Sequence, residues 1–117
     1  MDDDIARYLA DTYGMRGVDV AALVSKDPTL GARLVDGRPE ILAQVDHAVA
    51  RELARSLSDV MVRRTQLFFR DQEQGLGAAK VVAHRMAALL GWDTAHTAGE
   101  LVAYQDEVAL SRAWKEG

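Results

Sequence analysis

Cysteine is absent from this 117-residue chain, which excludes disulfides and thiolate metal sites and fits a reducing compartment. Proline occurs twice and aromatic residues make up 6%, while alanine, leucine and valine are common. That balance favours helices over a strand-rich sandwich. No apolar run is long enough to cross a bilayer, so direct membrane insertion is not expected. No basic start followed by an apolar stretch announces a signal peptide. A basic surplus is missing too: the formal net charge is −4. Phosphate backbones are held by a local excess of Lys and Arg, so nucleic acid is not expected as a partner.

What remains is 49% hydrophobic and 27% charged, with both signs mixed along the length. That composition is neither disordered nor membrane-spanning, and 117 residues suffice for one domain, 1–117, with a core of its own. The expected fold is all-α, a compact orthogonal bundle of five to six helices.

In chain order, Asp2, Asp3 and Asp4 precede a stripe of Ile5, Tyr8, Leu9 and Thr12, and Gly14 follows as a left-handed stop. The acids read as a solvated helix start rather than a metal site. Asp19 is a candidate cap for a second short helix, with Val18 and Leu23 as a hydrophobic staple. That helix ends near Lys26, where Asp27-Pro28 disfavours continuation. Residues 28–39 read as an ordered loop held down by Leu30, Leu34 and Val35. Leu42, Val45, Val49, Leu53 and Leu57 then step by three or four, a helix stripe over four turns. Gln66-Leu67-Phe68-Phe69 reads as a loop anchored by two buried rings or as a last helical turn. A further helix opens at 72–75 and carries Leu76, Ala79, Val82, Ala83, Met86 and Leu90, stopped by Gly91. Asp93 caps a last helix through Leu101, Tyr104 and Val108 towards Trp114. The short link at 91–93 makes these two helices antiparallel neighbours.

The segment from Glu52 to Thr65 is the one place where charges look specified. Leu53, Leu57, Val60 and Met61 share a helical face. Asp59 stands four residues before Arg63 and can pair with it, leaving Arg64 about a hundred degrees round the helix to meet something else. Ser56 with Asp59 three residues on is a weak capping box, so a corner at Ser56 between two helices is expected. The local reading of Asp59, Arg63 and Arg64 is an ion pair that fixes this corner. The functional reading is a contact with another domain.

Motifs that carry chemistry are sparse. Gly75-Leu76-Gly77-Ala78-Ala79-Lys80 lacks the spacing and the preceding strand of a phosphate-binding loop. Dinucleotide binding would need a glycine fingerprint inside a strand–turn–helix unit, also missing. His47, His84 and His96 have no Glu-x-x-His or His-x-x-x-His partner on their own helices, and His96, in the first turn of the last helix, reads as a surface or packing residue. Ser56, Ser58 and Thr65 read as cap and turn residues, and Phe68, Phe69, Trp92 and Trp114 as core or interface packing residues. No catalytic, cofactor-binding or metal residue is assigned.

Four pieces nevertheless resemble a known family. They are Leu9 to Gly14, a Leu-x-x-x-Tyr-Gly start; Gln44 to Leu53; Ser58-Asp59-Val60-Met61-Val62-Arg63-Arg64-Thr65, similar to Asp-Val-Leu-x-Arg-Arg-Thr; and Leu89-Leu90-Gly91-Trp92-Asp93. In order and spacing they resemble the C-terminal helical domain of the FAD-dependent, respiratory glycerol-3-phosphate dehydrogenases. Gln44 stands where that family has glutamate and His47 where it has an aromatic residue.

The resemblance implies an accessory domain, excised or separately encoded, whose parent oxidises glycerol 3-phosphate to dihydroxyacetone phosphate and passes electrons through FAD to quinone. FAD belongs to the parent and not to this domain. The implied partner is the FAD-containing catalytic portion, and homodimerisation is left open. The implied location is cytoplasmic, with the parent peripheral at the inner face of the membrane. Glu52, Asp59, Arg63 and Arg64 are the candidate interdomain contact. Two rivals are a stand-alone helical interaction module and a helix-turn-helix regulator using the Ser56 corner.

Overall fold

Three aspartates at the start and a glycine at the end bound the first helix, α1 (Asp3–Tyr13). Ile5 and Leu9 are its buried stripe, and Gly14 ends it at φ +58° with its N–H donating to the carbonyl of Ala10. The structure is a computed structural model that describes residues 1–116, with side chains through Trp114. About 75% of it is helical, and the expected all-α bundle is what forms.

A tight turn, Gly14–Arg16, leads into α2 (Gly17–Lys26). The expected cap and staple are not used. The helix starts at Gly17, two residues before Asp19, which sits in the first turn, and Val18 is exposed to solvent. Gly17 itself decides the start: a Cβ there would lie 2.9 Å from the carbonyl oxygen of Leu9, so only glycine lets α2 cross α1 this closely. At the other end Asp27 stops the helix as expected, and its carboxylate accepts from the Thr29 N–H at 3.1 Å to cap the turn Pro28–Gly31. The loop beyond is ordered, with Leu30 buried and Leu34 and Val35 packed on the core.

The helix expected to run through Leu57 is shorter. α3 (Ala43–Arg51) stops after nine residues. Leu53 is not on its stripe: it takes the left-handed conformation at φ +58° and is 69% exposed. Periodicity continued past the break only because Leu57, Val60 and Met61 belong to the next segment, all three fully buried. That segment becomes a π-helical turn, Asp59–Arg64. Its mark is the Thr65 N–H, which donates five residues back to the Val60 carbonyl at 2.8 Å.

Of the two readings of the next stretch, the helical turn is the one that forms, and its two rings are not both buried. In α4 (Leu67–Arg70) the buried residue is Leu67, while Phe68 is half-buried and Phe69 points out. The next helix opens later than residues 72–75, which form a turn. α5 (Leu76–Leu90) carries the expected stripe with Ala78 added, and Gly91 ends it at φ +73°. The Asp93 carboxylate caps α6 (Thr94–Glu116), accepting from the His96 N–H at 2.7 Å. α5 and α6 pack side by side across the three-residue link.

The interior forms two apolar clusters. One gathers α1, α2 and the loop around Ile5, Leu9, Val20, Leu30 and Ile41. The other gathers α3, the π turn, α5 and α6 around Val45, Leu57, Met61, Val82, Met86 and Tyr104. Leu42 packs against both. In the second cluster Gly75, at φ +76°, approaches Met61, Leu67 and the Tyr104 hydroxyl, and that hydroxyl donates to the Gln74 carbonyl. Gly75→Ala forces a left-handed alanine against this wall and is expected to lower stability by about 2 kcal/mol. Urea unfolding with an unchanged slope measures it.

Candidate functional site

The polar centre of the molecule is Gln44, on α3 and fully buried. Its Oε1 accepts from the Ile41 N–H at 2.9 Å. That bond fixes the amide, so Nε2 must face the two tyrosines of α1 and donates to the Tyr8 hydroxyl at 2.8 Å and the Tyr13 hydroxyl at 3.0 Å. Both hydroxyls therefore act as acceptors here and keep their own hydrogens for other partners. Burial pushes the Tyr13 hydroxyl up to about 12. Burial also raises Tyr8, with the Gln44 bond and the positive charge of Arg70 acting the other way. Beside them His47, 2% exposed, meets Tyr13 edge-on with ring centres 5.3 Å apart. Its Nε2 has no hydrogen-bond partner.

The π turn faces this centre. Its entrance is held by Ser56, whose hydroxyl accepts from the Asp59 N–H at 3.1 Å, half of the expected capping box. The Asp59 carboxylate reaches back to the Arg55 N–H at 3.3 Å rather than to Ser56. From α6, Glu100 accepts from the Leu57 N–H at 2.7 Å. The exit is held by Thr65, buried, whose hydroxyl donates to the Val60 carbonyl at 2.9 Å. Left-handed backbone at Leu53 and Gln66, neither of them glycine, brackets the whole segment.

Of the four residues singled out from the sequence, Asp59 and Arg63 form the expected pair at 3.6 Å on the surface. Arg64 turns the other way and meets Glu52 at 3.2 Å. This second pair is recessed, with Glu52 Oε1 and Arg64 Nε both buried and unpartnered. Glu52, Arg63 and Arg64 line one cleft, of about 660 Å³, while Asp59 lies outside it. The opposite wall is α1, through Asp4, Arg7, Tyr8, Asp11, Thr12 and Tyr13. Gln66 and Arg70 complete the mouth. Thus the Tyr-Gly end of α1 and the Arg-Arg-Thr end of the π turn, some fifty residues apart in sequence, face each other across one opening.

Several contacts were not read from the sequence. Arg33 clamps the start of α1, donating to Asp4 at 2.7 and 2.8 Å and to Asp2 at 2.9 Å. Two of the three acids, Asp2 and Asp4, are therefore pinned rather than merely solvated, and Arg33 holds the Asp4 carboxyl below its usual range. Arg85 joins α5 to Asp46 of α3 at 2.7 Å, and Arg38 satisfies the buried Glu40 at 3.0 Å. The Arg33 and Arg85 contacts join residues about thirty to forty positions apart, and pairs of that kind leave no periodic signal.

His96 stacks on Trp92 with ring centres 4.6 Å apart, a surface packing role as expected. Trp114 is outside the core: it is 80% exposed. Among the described residues no cluster of three His, Asp or Glu side chains is placed to hold a metal ion. Gly75, the first glycine of the loop-like segment, is spent on helix packing.

The fold and the cleft are those of a small all-α domain. Its family is the C-terminal domain of alpha-glycerophosphate oxidase, which matches residues 1–97, and the chain belongs to that family. The chain is similar to "Probable glycerol-3-phosphate dehydrogenase, mitochondrial" of Dictyostelium discoideum, at 36% identity over 85% of this chain. It is similar also to the glycerol-3-phosphate dehydrogenase of Synechocystis sp., at 35% over 74%, and to the mitochondrial enzyme of Homo sapiens, at 32% over 80%. It spans only 15%, 16% and 13% of their respective lengths. No solved structure matches it significantly.

Gln44→Leu keeps the volume but strands the Ile41 N–H and both tyrosine hydroxyls. A loss of about 3 kcal/mol is expected, or roughly 10 °C in Tm for a domain of this size. A thermal melt by circular dichroism checks it.

Proposed function

We propose that this chain is the C-terminal accessory domain of an FAD-dependent glycerol-3-phosphate dehydrogenase. The parent oxidises glycerol 3-phosphate to dihydroxyacetone phosphate and passes the electrons through FAD to quinone. The domain packs on the catalytic portion of the same protein and supports it, contributing no catalytic residue. The observation that carries this reading is family membership over residues 1–97 combined with the convergence of the α1 and π-turn motifs on one cleft. Strained backbone is retained where surrounding structure and function hold it, and here it brackets the arginine pair.

The glycine-rich segment at residues 75–80 is not built as a dinucleotide-binding turn. The only glycine-rich segment has no strand before it, and its first glycine is pressed against Met61 and Leu67. FAD therefore belongs to the rest of the parent chain in this reading. Among the described residues no helix is long and apolar enough to cross a membrane. The reading also keeps the domain cytoplasmic, with any membrane contact made by the parent at its inner face.

Glu52, Asp59, Arg63 and Arg64 are the contact residues of this reading, Arg64 foremost because its recessed pair with Glu52 fixes the cleft floor. The test is co-expression of this chain with the Synechocystis dehydrogenase from which the matching segment has been removed. The chain should co-purify with the remainder and restore glycerol-3-phosphate oxidation, and Arg64→Ala should weaken retention at least fivefold. A well-folded chain that neither co-purifies nor restores activity would overturn the reading.

A further inference from the structure

The cleft concentrates hydrogen-bond donors and positive charge in a chain that is acidic overall. Its carboxylates are largely neutralised from within: Asp4 is held by Arg33 at 2.7 Å and Glu52 by Arg64 at 3.2 Å. Arg7 and Arg70 have no carboxylate within ion-pair distance among the described residues, and Arg63 has only the loose 3.6 Å contact to Asp59. Against these three stands Asp11 alone.

Gln44 adds to the asymmetry. Because its amide is oriented by the Ile41 N–H, it donates to Tyr8 and Tyr13, and both tyrosine hydrogens remain available on the cleft wall. A glutamate at position 44 would reverse this, since a carboxylate can only accept and both hydroxyls would turn inward. The glutamine thus makes the cleft a better binder of acceptors.

We propose that this cleft binds a carboxylate-bearing, extended segment of the catalytic portion of the same protein, gripped by Arg7, Arg63 and Arg70 with the Tyr8 and Tyr13 hydroxyls. This rests on the docking reading above and names the chemistry of what docks. The choice of a tethered occupant over a free metabolite follows from magnitudes. Each exposed arginine–carboxylate contact improves affinity by only about two- to fivefold. Three such contacts leave a diffusing ligand with a Kd on the order of millimolar or weaker. A segment of the same chain arrives at an effective concentration that is itself about millimolar, so the same weak contacts hold it in the cleft for about half of the time, where a dilute metabolite would leave the cleft empty. A volume of about 660 Å³ with an open mouth suits a short stretch of chain.

The experiment is an NMR titration of the ¹⁵N-labelled chain, following the arginine Nε–H signals. The probes are blocked tetraglutamate, blocked tetraglutamine and inorganic phosphate at matched ionic strength. Tetraglutamate should move Arg7, Arg63 and Arg70 along one saturating curve in the low-millimolar range, while Arg16 and Arg51, outside the cleft, only drift. Arg63→Gln with Arg70→Gln, both solvent-exposed changes, should weaken that curve at least fivefold with no change in Tm. Equal, unsaturated shifts at all arginines would overturn the proposal. So would phosphate saturating at lower concentration than tetraglutamate, which would mark a small-anion site instead. A flat titration with intact co-purification sinks this assignment alone, whereas saturation without co-purification sinks the docking reading.

Discussion

The orientation of one buried amide governs the polar half of this domain. Gln44 has no freedom to flip, because its oxygen is needed by the Ile41 N–H, which has no other partner in the fold. Once the oxygen is committed, the nitrogen has to supply both tyrosines. Two residues of α1 are thereby fixed against α3, and a buried group left unpaired here would cost more than an ordinary hydrogen bond contributes. α1 is otherwise a short helix docked by two leucine-sized side chains and the Arg33 clamp. Its placement as the wall of the cleft depends on Gln44.

The facing wall is built by a different means. A regular α-helix from residue 57 onward would keep Arg63 and Arg64 in register with Val60 and Met61 and one hydrogen-bond step tighter. The wider π turn inserts an extra residue, and the Thr65 hydroxyl and N–H both tie back to the Val60 carbonyl to hold it. The widening lets Met61 stay in the core while Arg64 swings to Glu52 and Arg63 stays outside. Backbone strain at Leu53 and Gln66 is the cost of entering and leaving this geometry. Apolar burial at Leu57, Val60, Met61 and Leu67 offsets it, at about 1.5–3 kcal/mol for each such side chain removed from water.

What the sequence made legible was whatever repeats locally. The stripe of α5, the glycine stops at Gly14 and Gly91, the aspartate cap of α6 and the Asp59–Arg63 pair are all set by spacing within a few residues, and each is found. The miss at Leu53 has the same origin. A stripe that continues at three-and-four spacing across a break cannot be told from an unbroken one, because Leu57 is buried for reasons that lie in the next segment. Gln44 was legible only as a departure from an expected glutamate. Its role requires Ile41, three residues away, together with Tyr8 and Tyr13, and the tyrosines lie more than thirty positions from it, where no mutual periodicity reaches.

The same limit explains how the cleft was half seen. Glu52, Arg63 and Arg64 were picked out by charge placed at a helix corner, and three of the four chosen residues do line the opening. Arg7 and Arg70 were not, since each sits alone on a helix face where a solvated arginine is the ordinary case. Their meaning is tertiary: they matter because α1 and α4 line the same opening, and because two of the three carboxylates there, Asp4 and Glu52, are already taken by Arg33 and Arg64, leaving Asp11. A net charge of −4 rules out a generally basic surface, yet it says nothing about a local one. Sign is set by which acids have internal partners, and that is decided only when the chain is folded.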